Sequence, residues 1–182
     1  MLRSRKLQSV VLALATLAVA SAAAPTRGFV TPSSASSVSG PPWISIEYPA
    51  NPHDRTTRGA FLLVHAFYHG TPVDYPVSGT AEGMVNGERK SVSLQFERTS
   101  RPGVYALKRQ WSADGVWTLV ISVTQEKNDV AQALVEIAPT GEVTSVRVPT
   151  TEQNGWSIPR KLTSAEIEAS LRNRASALVR RG

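Results

Sequence analysis

The sequence predicts an all-β domain, an antiparallel sandwich or barrel of seven or eight short strands, followed by one carboxyl-terminal helix. Three observations carry this reading. Short stretches of alternating apolar and polar residues recur with a Gly, Pro, Asn or Asp turn signal roughly every ten residues. No stretch of helical period lies between the strands, which argues against a parallel α/β sheet. Only beyond Thr163 do the apolar residues switch to helical spacing.

Trp43–Tyr48 alternates with Ile44, Ile46 and Tyr48 on one side, and Pro49, Asn51 and Pro52 stop it. Residues 49–58 read as a polar loop. Gly59–His69 is a long apolar run, expected to be a central strand covered on both faces. Gly70-Thr71-Pro72 ends it. Residues 75–85 predict a weaker strand whose Gly79 and Gly83 suggest a bulge or a sheet edge. Asn86-Gly87 is a two-residue hairpin signal, because both residue types tolerate positive φ. Ser91–Glu97 then alternates, with Val92, Leu94 and Phe96 facing in.

Arg101-Pro102-Gly103 predicts a turn, and Val104–Trp111 a strand with Tyr105, Leu107 and Trp111 on one face. Asp114-Gly115 turns the chain into Val116–Val123, where Trp117, Leu119, Ile121 and Val123 align. After Lys127-Asn128-Asp129 come Ala131–Ile137, the turn Thr140-Gly141 and Glu142–Val148. No repeat of fixed period is present.

At the carboxyl end Thr163-Ser164-Ala165-Glu166 has capping-box spacing. Ile167, Leu171, Ala175 and Leu178 follow as one apolar stripe, with Arg172, Arg174, Arg180 and Arg181 off or beyond it. Packing against the domain itself is the first expectation for this basic amphipathic helix, docking to a partner protein the second and resting on an anionic membrane the third.

The amino terminus reads as an address. Arg3, Arg5 and Lys6 precede the uncharged apolar run Val10–Ala20, and Ser21-Ala22-Ala23-Ala24 offers small residues for cleavage after Ala22 or Ala23. Residues 1–23 are therefore expected to be a signal peptide, and the protein periplasmic or secreted. The apolar run is about half the ~20 residues needed to span a bilayer, so an uncleaved anchor is the weaker reading and no integral span is expected after cleavage. Residues 24–42, rich in Pro, Ser and Gly, are expected to form a flexible leader. The sandwich is placed at 43–150, and a linker plus the helix at 151–182.

Composition excludes several chemistries. The chain has 182 residues and no cysteine, which removes disulfide scaffolds, thiolate catalysis and cysteine-ligated metals. The net charge of +6 belongs to the two ends; the body between them is nearly neutral, and no basic stripe interleaved with aromatics suggests nucleic acid. There is no Gly-x-Ser-x-Gly elbow and no phosphate-cradling Gly-rich loop before a helix.

The remaining candidates are few. His65 and His69 resemble a metal pair, but residues four apart on a strand lie roughly 13 Å apart, too far to share one ion. His53 lies in the polar loop with no fixed relation to them, so these histidines are expected to be structural or surface residues, with a metal site as the alternative. Asp54, Asp74 and Asp114 are expected to cap turns rather than pair for acid–base work. Trp111 and Trp117 flank the Asp114-Gly115 turn; core packing is the expectation, and a partly exposed ligand platform the alternative. Trp43 and Trp156 lie near the domain borders, where they can tether its ends. No catalytic, cofactor or metal residues are assigned.

Gly103-Val104-Tyr105, followed by Trp111, Asp114-Gly115, Trp117, Leu119 and Ile121, resembles the closing strands of YtkA-like domains, and FixH-type accessory proteins share the general pattern. Gly70-Thr71-Pro72-Val73 is similar to their mid-domain Gly-x-Pro-Val turn. The resemblance covers residues 43–125 and implies an immunoglobulin-like β-sandwich of an exported bacterial accessory protein. Some relatives are associated with copper handling or oxidase assembly through Met and His clusters. Only Met84 remains here beyond the leader, so that metal role is not carried over. The expectation is a non-catalytic binding or assembly module acting by surface recognition on a protein partner in the cell envelope. Its mode is recognition through loops at one sandwich end or strand addition at an exposed edge. A copper-handling accessory protein and an envelope hydrolase are the alternatives.

Overall fold

Twelve strands and one α-helix form among the described residues, which are 40–126 and 129–179 of the computed structural model, with side chains as far as Ser176. The expected signal peptide, the leader up to residue 39, Lys127, Asn128, the Leu178 side chain, Arg180 and Arg181 lie outside the described residues. In chain order the strands are β1 (Trp43–Glu47), β2 (Leu62–Tyr68), β3 (Thr71–Pro72), β4 (Val77–Val85), β5 (Glu88–Ser93), β6 (Phe96–Arg98), β7 (Val104–Leu107), β8 (Val116–Thr124), β9 (Val130–Ile137), β10 (Val143–Arg147), β11 (Thr150–Gln153) and β12 (Trp156–Pro159). Helix α1 is Ser164–Val179, and Arg55–Thr57 makes a single 3-10 turn.

All strand pairs are antiparallel. One sheet runs β1-β2-β7-β6, with β3 added to β2, and the other runs β10-β9-β8-β4-β5. With β1, β2, β7 and β6 in the A-B-E-D places and β9, β8, β4 and β5 in the G-F-C-C′ places, this is the strand order of an immunoglobulin-like sandwich. β10 extends the second sheet past the G place, and β11 with β12 forms a separate hairpin.

The period-two pattern explains the core. Leu62, Val64, Ala66, Tyr105 and Leu107 of the first sheet meet Ala81, Leu119, Ile121, Val123, Ala133, Val135 and Ile137 of the second in one buried cluster. Each large side chain buried there contributes about 1.5–3 kcal/mol relative to exposure. The opposite faces are covered as well. Leu63, Val104 and Ala106 lie beneath Ala50 and Ala60 of the 49–60 loop. Helix α1 packs on the outer face of β8 and β4 and is bonded to β9: the Thr118 and Ser170 hydroxyls meet at 2.9 Å and the Ser170 hydroxyl donates to Glu136 at 2.8 Å. The helix therefore packs on its own domain, with Leu171 buried. Its first turn is a reciprocal capping box: Glu166 N donates to Thr163 Oγ1 at 3.2 Å, and Thr163 N to the Glu166 carboxylate at 2.8 Å.

Several elements differ from expectation. β4 is a central strand between β8 and β5, in unbroken register with both, not a bulged edge. Its Gly83 is where the Trp117 ring crosses the strand: an added Cβ would stand 2.5–2.7 Å from three ring atoms. Ser91–Glu97 is not one strand. The chain leaves the second sheet after Ser93 and joins the first at Phe96. Gln110 holds this crossing, its side-chain oxygen accepting from Gln95 N at 2.8 Å and its amide donating to Gln95 O at 2.7 Å. For that reason the strand expected over 104–111 ends at Leu107. Splits and short pieces such as β3 raise the count above the expected seven or eight. The expected linker after residue 150 instead begins with the β11–β12 hairpin, turned by Asn154-Gly155 at positive φ of 53° and 78°.

Candidate functional site

The histidines and loop carboxylates do not come together. His65, on the outer face of the first sheet, pairs with Glu47 of the neighbouring strand at 2.9 Å. His69 lies just past β2, at a positive φ of 49°, with its ring edge-on to Tyr68 at 4.2 Å between centroids. His53 is in the exposed loop, its backbone N–H bonded to Asn51 Oδ1. Met84 is half-buried at the far end of β4, opposite Val116. Among the described residues no three His, Asp or Glu side chains are grouped so that they could hold a metal ion.

Asp54 and Asp74 use their carboxylates locally. Asp54 caps the 3-10 turn, accepting from the Thr56 hydroxyl and N–H, and these bonds hold its carboxyl below the ordinary range. Asp74 accepts from Gly103 N at 2.8 Å and so ties the β3 region to the start of β7. At Asp114 the backbone oxygen does the work, accepting from the Trp117 indole N–H at 2.8 Å.

The four tryptophans divide into two pairs. Trp111 and Trp117 are 5% and 3% exposed and belong to the core, Trp111 meeting Phe61 edge to face at 5.1 Å. They offer no platform. Trp43 is 42% exposed and Trp156 75%. Large aromatics usually bury most of their apolar surface, so two exposed indoles on one groove make it the candidate contact surface.

That groove is the strongest candidate site. It encloses about 340 Å³, and Trp43, Tyr68, His69, Trp156, Pro41 and Pro159 line it. Each side chain has a positional cause. Ile44 points into the core, so its neighbour Trp43, opposite Phe67 in register, points outward from β1. Tyr68 ends β2, and His69-Gly70 turns the chain there at positive φ. Trp156 follows the Asn154-Gly155 turn directly, so the hairpin carries it out from the body. The hairpin base is fixed by buried Pro149 and Pro159 and by Arg160 N donating to Pro149 O at 2.9 Å.

Among the described residues, no Asp, Glu, Lys or Arg lines the groove. The Ser157 hydroxyl is committed to Glu152 within the hairpin. The arrangement suits stacking and packing on flat, neutral surfaces. Among the described residues, His69 supplies the one imidazole of the lining.

The sequence carried signals for both tryptophans. Asn154-Gly155 is the same hairpin signal as Asn86-Gly87, and the alternation that sends Ile44 inward sends Trp43 outward. The meeting of the first strand with a hairpin more than a hundred residues later has no local signature. Compared with protein-family models, curated proteins and solved structures, the chain matches none.

Proposed function

We propose that this protein is a non-catalytic binding or assembly module, exported to the cell envelope, that recognises a partner protein through the groove between Trp43, Tyr68 and Trp156. The single observation behind this reading is the pair of exposed indoles on one uncharged groove. Rigid aromatic side chains give large contact area at little entropic cost and are enriched among the residues that dominate interfaces. The basic n-region and apolar run at the amino terminus support export. The resemblance to YtkA-like domains supports an accessory role. Among the described residues no helix is long and apolar enough to cross a membrane.

The test is retention of envelope proteins on the immobilised full chain and on its Trp43→Ala/Trp156→Ala variant. The expected result is a partner held by the parent chain and lost from the variant. Identical sets of retained proteins would overturn the reading.

A further inference from the structure

Resting on that reading, we infer that the groove takes a proline-rich segment of its partner in the polyproline II conformation. Four features favour this occupant. The walls combine two indoles, a phenol and two prolines, the kind of aromatic-lined groove that receives such segments. The molecule already packs proline there: Pro41 lines the groove and Pro42 beside it is buried. The charge match is to a neutral chain, since among the described residues the lining has no carboxylate, ammonium or guanidinium to select an acidic or basic peptide. Finally, the N–H groups of the exposed Trp43 and Trp156 indoles bond no acceptor among the described residues; nor does that of buried Trp111, while that of Trp117 is bonded to Asp114 O. A polyproline II chain has no internal hydrogen bonds and presents all its carbonyls as acceptors.

The four tryptophans make the test direct. In the ¹⁵N-labelled full chain each indole N–H gives one resonance, and Trp43→Ala and Trp156→Ala identify two of them. Adding decaproline should shift those two and leave the Trp111 and Trp117 signals in place, while a Gly/Ser decamer shifts none. Calorimetric affinity for decaproline should fall at least about tenfold in Trp156→Ala. Absence of any shift with decaproline overturns the inference, as does binding that survives both substitutions. If neutral oligosaccharides rather than decaproline shift the same two signals, the polyproline assignment falls while the groove stands as a binding site. If nothing shifts them, and envelope proteins are retained equally by the parent chain and the double variant, both readings fall.

Discussion

The benzo ring of Trp117 occupies the place where a side chain at Gly83 would stand. The two residues face each other across β4 and β8, and a Cβ at Gly83 would lie 2.5 Å from Trp117 Cε3. The indole cannot retreat easily, because its N–H is bonded to Asp114 O and it is packed in the core. Gly83→Ala should therefore overpack the sandwich and cost about 1–3 kcal/mol, read as a lower urea midpoint with unchanged slope.

The exposed and buried tryptophans should separate in stability. Trp156→Ala, at a residue 75% exposed, should change unfolding free energy by no more than about 0.5 kcal/mol. Trp117→Ala, 3% exposed, should cost about 3–5 kcal/mol. Equal losses in chemical denaturation would mean that Trp156 is part of the folded core.

Thr118, Ser170 and Glu136 form a chain of hydroxyl donors ending on a carboxylate. Ser170 gives its proton to Glu136, so Thr118 donates to Ser170. Ser170→Ala would leave the fully buried Thr118 hydroxyl without its acceptor and should cost about 1–3 kcal/mol. Thr118→Val alone leaves Ser170 bonded to Glu136 and should cost less. The double substitution should be less destabilising than the sum of the singles, which a double-mutant cycle measures.

Glu166 should make stability fall in acid. The Arg160 guanidinium, bonded at 2.9 and 3.0 Å, and the Thr163 N–H hold its carboxyl down to about 2, against an ordinary value of 4.5. A carboxyl with a depressed folded value contributes stability that is present above its unfolded value and is lost as pH falls toward the folded one. The thermal midpoint should therefore drop as pH falls from 4.5 toward about 2, and Glu166→Gln should show a shallower drop over that window. Parallel curves would assign the acid sensitivity to other carboxylates.

Much of the fold was legible because local chemistry and tertiary role agree. Asn86-Gly87 turns β4 into β5 at positive φ, Thr163 and Glu166 cap the helix, and Leu119, Ile121 and Val123 line the core on alternate positions. The crossing between sheets at Leu94-Gln95 was not legible, because Val92, Leu94 and Phe96 keep facing inward on both sides of it and the alternation never breaks. Gly79 and Gly83 read as edge signals because a missing side chain looks the same whether it leaves room for solvent, for the Val120 backbone beside Gly79 or for Trp117 beside Gly83. The β11–β12 hairpin was hidden by its polar strand Thr150–Gln153, which has no apolar face to advertise it. The groove depends on pairing Trp43 with Trp156 in space, and that is a property of the folded chain alone.

The coverings on the two sheets restrict how anything can approach. With α1 over β8 and β4, and the 49–60 loop lying across Leu63, Val104 and Ala106, a visitor arriving broadside there meets polypeptide already in residence. The strand faces beneath these coverings are thereby closed to a binding partner, while the outward side chains of β10 and Trp43 of β1 stay open.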